Sequence, residues 1–313
     1  MPEMTSSSGT DRGPAIETHD LAKRYGRTTA LAGLTMRVER GEVFGFLGPN
    51  GAGKTTSVKL LLGLTPPTGG GGAVLGRPLG DREARRRVGY LPEMFRYQPW
   101  MRGREVLAFH AALIDLPRAE RPAAAAEALG IVGLADRSDD LVGTYSKGMQ
   151  QRLGLAVALL GRPELVLLDE PTSALDPLGR TEVRRIIRAA RDRGATVFLN
   201  SHLLGEVELV CDRVAVVDAG RVVAAGTLDA LLGGDGVRLR VTGLDAAARA
   251  GLDAFGPHRD EGDWLAFRPF ARDRIPELVV AVVAAGGRVH AVEPERATLE
   301  ERFLGLIGEG RVR

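Results

Sequence analysis

Cysteine is nearly missing from this chain: 313 residues contain one, Cys211. A single thiol rules out an internal disulfide framework, and a reducing, cytosolic setting is the simplest reading. Charge of one sign is missing too, because 42 lysines and arginines stand against 40 aspartates and glutamates. So small an excess gives no strong pull on nucleic acid, and no nucleic-acid partner is expected. Long apolar runs are also lacking. The most apolar late stretch, "LVVAVVAAGG", is about half of the roughly 20 residues that a membrane-spanning helix needs. The opening "MPEMTSSSGTDRGP" is small and polar, with no apolar stretch behind a basic start, so residues 1–14 read as a disordered tail and not a signal peptide. Neither an internal repeat nor a sustained heptad pattern occurs.

What is present suffices for one large domain and a smaller one, with a core that needs no disulfide or metal. From Ala15 to about Val43, segments such as "AIETHDLAKRY" and "LAGLTMRVERGEV" read as strands joined by glycine turns. "VFGFLG" is a compact apolar strand, followed by a glycine-rich loop and the helical spacing of "KTTSVKLLLGL". After "TPPTGGGGAVLG", whose Thr68 to Gly72 reads as a flexible turn, the chain becomes helical and arginine-rich. "LVLLDE" and "ATVFLNSH" are continuous apolar runs separated by a helix, as expected of parallel strands covered on both faces. "RVAVVDAG" and "RVVAAGT" read as a hairpin. The glycines of "LLGGDG", residues 231 to 236, suggest a boundary. Beyond it, three strands and two helices make a small α+β domain over about 231–313.

"GPNGAGKTT" matches the phosphate-loop pattern in its required context, between a buried strand and a helix. Gly48, Pro49, Asn50, Gly51, Ala52 and Gly53 would turn backbone N–H groups toward the phosphates of ATP, and the helix N-terminus would add its dipole. Lys54 supplies a mobile charge, the hydroxyl of Thr55 suits Mg²⁺, and Thr56 completes the loop. A glycine turn with an incidental lysine would explain the loop but not its setting. "LVLLDEP" puts Asp169 and Glu170 after four apolar residues, at the strand edge where open α/β sheets collect ligands. Burial alone would leave one carboxyl protonated or both solvated. Functionally, Asp169 would hold Mg²⁺ and Glu170 would orient or deprotonate the water that attacks the γ-phosphate. His202 ends another strand at the same edge. A lone histidine is more often a satisfied surface or core residue, but from this place an imidazole can reach the γ-phosphate and the attacking water.

With these parts in order, the chain resembles the ATP-binding cassette family of transporter ATPases from about Ile16 to Thr227. The resemblance implies an α/β fold, a P-loop NTPase cassette over 15–230. Its parts would be a mostly parallel core sheet, an antiparallel β subdomain and a helical subdomain at about 95–160. "YSKGMQQR" then corresponds to the family's signature motif, which binds the γ-phosphate of ATP held by a partner subunit. Ser146, Lys147, Gly148 and Gln150 would carry that contact. Lys147 and Met149 depart from the usual L-S-G-G-Q and resemble the exporter subgroup, of drug-exporter type. By the same likeness Tyr25 corresponds to the aromatic that stacks on adenine, although a tyrosine near a strand end is commonly packing. Asp176 matches the loop that couples the two sites, and could equally be a helix cap. Glu93 aligns with a glutamine that contacts Mg²⁺ and the membrane partner; a carboxylate there changes charge and donor capacity.

The implied protein is an ATPase subunit, peripheral on the cytoplasmic face of the cell membrane. It would form a head-to-tail dimer with a copy or a relative and power a separate integral membrane permease, in the outward direction. "DREARRRVGY" reads first as a solvated helix face and second as a contact to that permease or to acidic lipid. Two rivals are a soluble cassette acting on ribosomes or DNA, and a regulatory module. Ribosome-associated members generally carry two cassettes, whereas "GPNGAGKTT" and "LLDEP" each occur once here.

Overall fold

The computed structural model describes residues 13–173, 175–232, 235–296 and 298–311. Residues 1–12 of the expected tail, and Gly233 and Gly234 of the expected boundary, lie outside them. Two compact units divide after Ala225.

In the first unit β1 (Ile16–Tyr25) and β2 (Thr28–Val38) pair antiparallel, and β3 (Val43–Leu47) runs through the glycine loop into α1 (Lys54–Leu61). β4 (Gly69–Val74) and β5 (Arg77–Pro78) complete an antiparallel sheet in the order β2-β1-β4-β5. Next come α2 (Arg82–Arg86) and β6 (Val88–Leu91). The helices α3 (Gly103–Leu113), α4 (Arg121–Ile131) and α5 (Lys147–Ala158) follow. The chain then alternates β7 (Leu165–Asp169), α6 (Pro177–Asp192), β8 (Thr196–Asn200), α7 (Leu204–Val210), β9 (Arg213–Asp218) and β10 (Arg221–Thr227).

The six-stranded sheet has the order β10-β9-β3-β8-β7-β6, and its neighbours from β9 to β6 are parallel. Every residue of β3, β7 and β8 is buried, which is why these strands read as unbroken apolar runs. Phe198 fixes their packing, with its ring centroid 6.0 Å from that of Phe44 and 5.1 Å from that of Phe46. Because the three strands run the same way, Leu47, Asp169 and Asn200 end along one edge. The loops that follow them therefore converge.

One expectation is corrected. The glycines after Thr68 do not form a flexible turn; from Gly69 onward they are β4, paired with β1. The register slips between His19 and Ala22, where Asp20 has a left-handed φ of 47°. A Cβ at Gly70 would lie 2.1 Å from the Asp20 carbonyl oxygen, and one at Gly72 2.5 Å from that of Glu17. At Gly70 and Gly72, β4 presses on a bulged strand where side chains do not fit, so these two glycines serve packing. In the arginine run, Arg86 pairs with Glu83 at 3.0 Å and Asp115 at 2.9 Å on an exposed face, and Arg87 pairs with Glu164.

The second unit holds α8 (Leu228–Leu232), β11 (Asp235–Thr242), α9 (Ala246–Gly251), β12 (His258–Glu261) and β13 (Trp264–Phe267). It ends with α10 (Ile275–Ala284), β14 (Arg288–Arg296) and α11 (Leu299–Arg311). Its antiparallel sheet has the order β12-β13-β11-β14. The run from β11 to β14 is thus a split β-α-β-β-α-β arrangement. Val237, Leu239, Leu265 and Phe267 form its core with Leu278 and Val282 of α10. β12 escapes sequence reading because "HRDE" offers no apolar alternation.

Candidate active site

The loop between β3 and α1 is built from backbone constraints. Gly51 and Gly53 have φ of 84° and 100°, the left-handed region that glycine reaches without penalty. A Cβ on Gly53 would lie 2.5 Å from the Ala30 carbonyl oxygen, and one on Gly48 2.4 Å from that of Val217. Ala52 is buried, and its N–H donates to the Pro49 carbonyl at 3.2 Å. The Lys54 ammonium, nearly buried, donates to the carbonyls of Gly48 at 2.6 Å and Pro49 at 3.3 Å. Burial lowers the Lys54 pKa, while the carboxylates of Glu170, Asp169 and Glu93 oppose that shift.

The acidic pair stands opposite this loop. Parallel register sets Asp169, the last residue of β7, beside Asn200, the last of β8, and the Asn200 amide donates to Asp169 Oδ1. Burial raises the Asp169 pKa, the Asn200 hydrogen bond works the other way, and Glu93 and Glu170 push it up further. Glu170 has a φ of 52°, a strained value for a residue with a side chain, costing about 1–2 kcal/mol. Three hydrogen bonds hold it there: its N–H donates to the Asn200 carbonyl at 2.9 Å, and its carbonyl accepts from Ser173 N–H at 3.2 Å and Oγ at 3.0 Å. Its Oε2 lies 2.7 Å from His202 Nδ1. That approach lacks hydrogen-bond alignment, and Glu170 Oε2 and Asn200 Oδ1 are buried without a hydrogen-bond partner among the described residues. Buried acceptors left so are costly, and they mark a site prepared for something else.

These groups line one cleft of about 490 Å³, which takes in Pro49, Asn50, Gly51, Gly53, Lys54, Thr55, Thr56, Glu93, Asp169, Glu170, Asn200 and His202. Asn200 was not anticipated from the sequence; its signal was an amide at the end of the apolar run "TVFLN". Tyr25 does not line the cleft. It is 48% exposed at the end of β1, with Lys23 Nζ 5.0 Å from its ring centroid.

The serine-glycine segment also lies outside the cleft lining. Ser146 is exposed and caps α5, its Oγ accepting from Met149 N–H at 3.2 Å. Lys147 is exposed at the first helical position, and the Gln150 amide donates to the Tyr145 carbonyl at 3.3 Å. A Cβ on Gly148 would meet nothing within 4 Å. Lys147 and Gln150 line a second cavity of about 690 Å³, and Glu93 lines both cavities. Asp176 is a helix cap, Oδ1 accepting from Gly179 N–H at 2.7 Å.

A phosphate loop facing a strand-end acidic pair has counterparts in known proteins. The profile described as ABC transporter matches residues 31–173. The daunorubicin resistance ATP-binding protein DrrA3 of Streptomyces coeruleorubidus is 42% identical over 308 residues, spanning 95% of this chain and 97% of its own. The chain belongs to the ABC transporter ATP-binding family. The linearmycin resistance ATP-binding protein LnrL of Bacillus subtilis is 36% identical over 94% of this chain and 98% of its own. A solved ATP-binding subunit of an ABC transporter superposes with a TM-score of 0.63 at 32% identity, covering 69% of this chain and 91% of that one. The cassette is therefore a P-loop NTPase that binds ATP and hydrolyses it. ATP-binding subunits of this family dimerise and pair with membrane permeases. Among the described residues, no helix of this cassette is long and apolar enough to cross a membrane.

Proposed function

We propose that this chain is the ATP-hydrolysing subunit of an exporter, working from the cytoplasmic face as a head-to-tail dimer that drives a separate permease. The observation that carries the two-chain reading is the division of labour within one chain. Lys54, Asp169 and Glu170 share a cleft that Ser146 and Gly148 do not line, and Gly148 has no steric reason of its own to be glycine. Its freedom suits an approach from outside. In this reading each ATP lies between the phosphate loop of one chain and Ser146, Lys147, Gly148 and Gln150 of the other, with the N-terminus of α5 aimed at the γ-phosphate. The resistance proteins among the relatives support export.

Lys54 exchanges its two loop carbonyls for phosphate oxygens. Glu170 Oε2, buried and without a hydrogen-bond partner among the described residues, accepts a proton from the water that attacks the γ-phosphorus as the bridging P–O bond breaks and ADP leaves. His202, whose Nδ1 lies 2.7 Å from that carboxylate, would contact the γ-phosphate and the attacking water. Thr55 and Asp169, with Glu93 at the rim, form an all-oxygen set that suits Mg²⁺, which prefers a few protein oxygens plus substrate phosphates. When bound, Mg²⁺ would neutralise charge on the transferring phosphoryl group.

Tyr25 would stack on adenine, and Asp176 would cross the dimer interface. Residues 15–230 would act as the cassette and 231–313 as an accessory domain, with the helices between Pro99 and Leu160 and the Glu93 loop meeting the permease. The test is Glu170→Gln. It should keep ATP binding, accumulate an ATP-bound dimer on gel filtration and slow turnover by about 10²-fold or more. Unchanged hydrolysis would refute the role.

A further inference from the structure

The acidic wall of the cleft carries two acceptors that the fold leaves over. Glu170 Oε2 and Asn200 Oδ1 are buried without a hydrogen-bond partner among the described residues, and both residues line the cleft. Main-chain bonding sets the two residues side by side, because β7 and β8 pair Asp169 with Asn200 and the Glu170 N–H donates to the Asn200 carbonyl at 2.9 Å. Asn200 is 1% exposed, and its side-chain nitrogen is engaged by Asp169 Oδ1. That bond fixes the carboxamide. Its oxygen, which can only accept, is the atom left to bind.

An acceptor needs a donor, and that narrows what can satisfy it. Ionised phosphate oxygens are acceptors themselves, so the triphosphate of ATP offers a carboxamide oxygen nothing. A water molecule brings two hydrogens, and a water held inside a protein needs at least two polar partners. The wall supplies two leftover acceptors. We infer that Asn200 is a further catalytic residue, whose Oδ1 accepts the second hydrogen of the water that Glu170 deprotonates. This rests on the reading of Glu170 as the proton acceptor. With both hydrogens held, the water keeps a lone pair aimed at the γ-phosphorus and loses the freedom to tumble away from it. One side chain then does two things: its nitrogen holds Asp169, and its oxygen holds the nucleophile.

A double-mutant cycle on the full chain tests this, with single-turnover hydrolysis of ATP and affinity for a non-hydrolysable ATP analogue measured for the native protein, Asn200→Ala, Glu170→Gln and the double variant. In the native background Asn200→Ala should lower the rate about tenfold or more and change affinity for the analogue by less than about threefold, because the water takes no part in binding the nucleotide. In the Glu170→Gln background the same substitution should cost about twofold or less, since two residues that act on one water are not additive. Equal losses in both backgrounds, or a loss of affinity as large as the loss of rate, overturn the inference and leave Asn200 as a prop for Asp169. Unchanged hydrolysis in Glu170→Gln overturns instead the reading on which it rests. A crystal structure of the native chain with ADP and vanadate needs no variant: the apical vanadate oxygen, which takes the place of the nucleophile, should lie about 2.6–3.2 Å from Asn200 Oδ1. A cation or a metal-bound water on Oδ1 in its stead overturns the inference.

Discussion

Replacing Gly148 by alanine separates two reasons for a glycine. The position is the second residue of α5, and alanine there should gain about 0.5–1 kcal/mol of helix stability over glycine. No clash offsets that gain, since the added Cβ meets nothing within 4 Å. Six residues on, Gly154 is the counter-case: its Cβ would lie 2.6 Å from Phe95, and alanine there should cost about 1–3 kcal/mol. Gly148→Ala should therefore melt about 1–4 °C above the native chain. Hydrolysis should fall about tenfold or more, because a methyl group stands where the partner's phosphate must come close, and small displacements of reacting groups are expensive. Thermal melting and phosphate release on the same preparation check both halves. A destabilised variant would show that Gly148 serves packing in its own chain, and a stabilised, fully active one that no ligand comes near it.

Asp169→Asn should trade activity for stability. Burial raises the folded-state pKa of Asp169 above its unfolded value, so ionisation penalises the fold; the penalty is absent below the unfolded carboxyl pKa, grows through the window between the two values and is complete above the folded one. Melting temperatures should then put the variant above the native chain at pH 8, with the gap closing in acid, while hydrolysis drops by orders of magnitude; a variant less stable at pH 8 would contradict this sign. Within the phosphate loop, Gly51→Ala should cost only the backbone strain, about 1–2 kcal/mol, because its Cβ is unobstructed. Gly53→Ala adds overpacking of about 1–3 kcal/mol against Ala30 and Leu31, so equal losses in denaturant unfolding would refute the packing account.

The parts of the site that sequence revealed are those written locally. The loop from Gly48 to Thr56 follows directly on β3 and opens α1, and Asp169 and Glu170 end a strand of four apolar residues, so neighbouring signals agree. Asn200 was hidden because its bond to Asp169 depends on the register of two strands 31 residues apart. The left-handed backbone of Glu170 was equally invisible, since hydrogen bonds to the Asn200 carbonyl and from Ser173 impose it on a residue that would not choose it. β4 does not read as a strand because glycine normally weakens one; close contact with the β1 backbone explains Gly70 and Gly72, and nothing in the structure explains Gly69 and Gly71. The segment around Ser146 was found through family resemblance. Within one chain its geometry is that of an ordinary capped helix.

Whether that helix serves a neighbouring copy is measured most directly by mixing two disabled chains. Lys54→Ala removes the phosphate-loop charge and Ser146→Arg blocks the α5 terminus, so each variant alone should be inactive. An equal mixture that exchanges freely should regain about one quarter of native hydrolysis, because half of the dimers then hold one intact shared site out of two. No recovery in a mixture that demonstrably exchanges, or full activity in either variant by itself, would contradict the shared site.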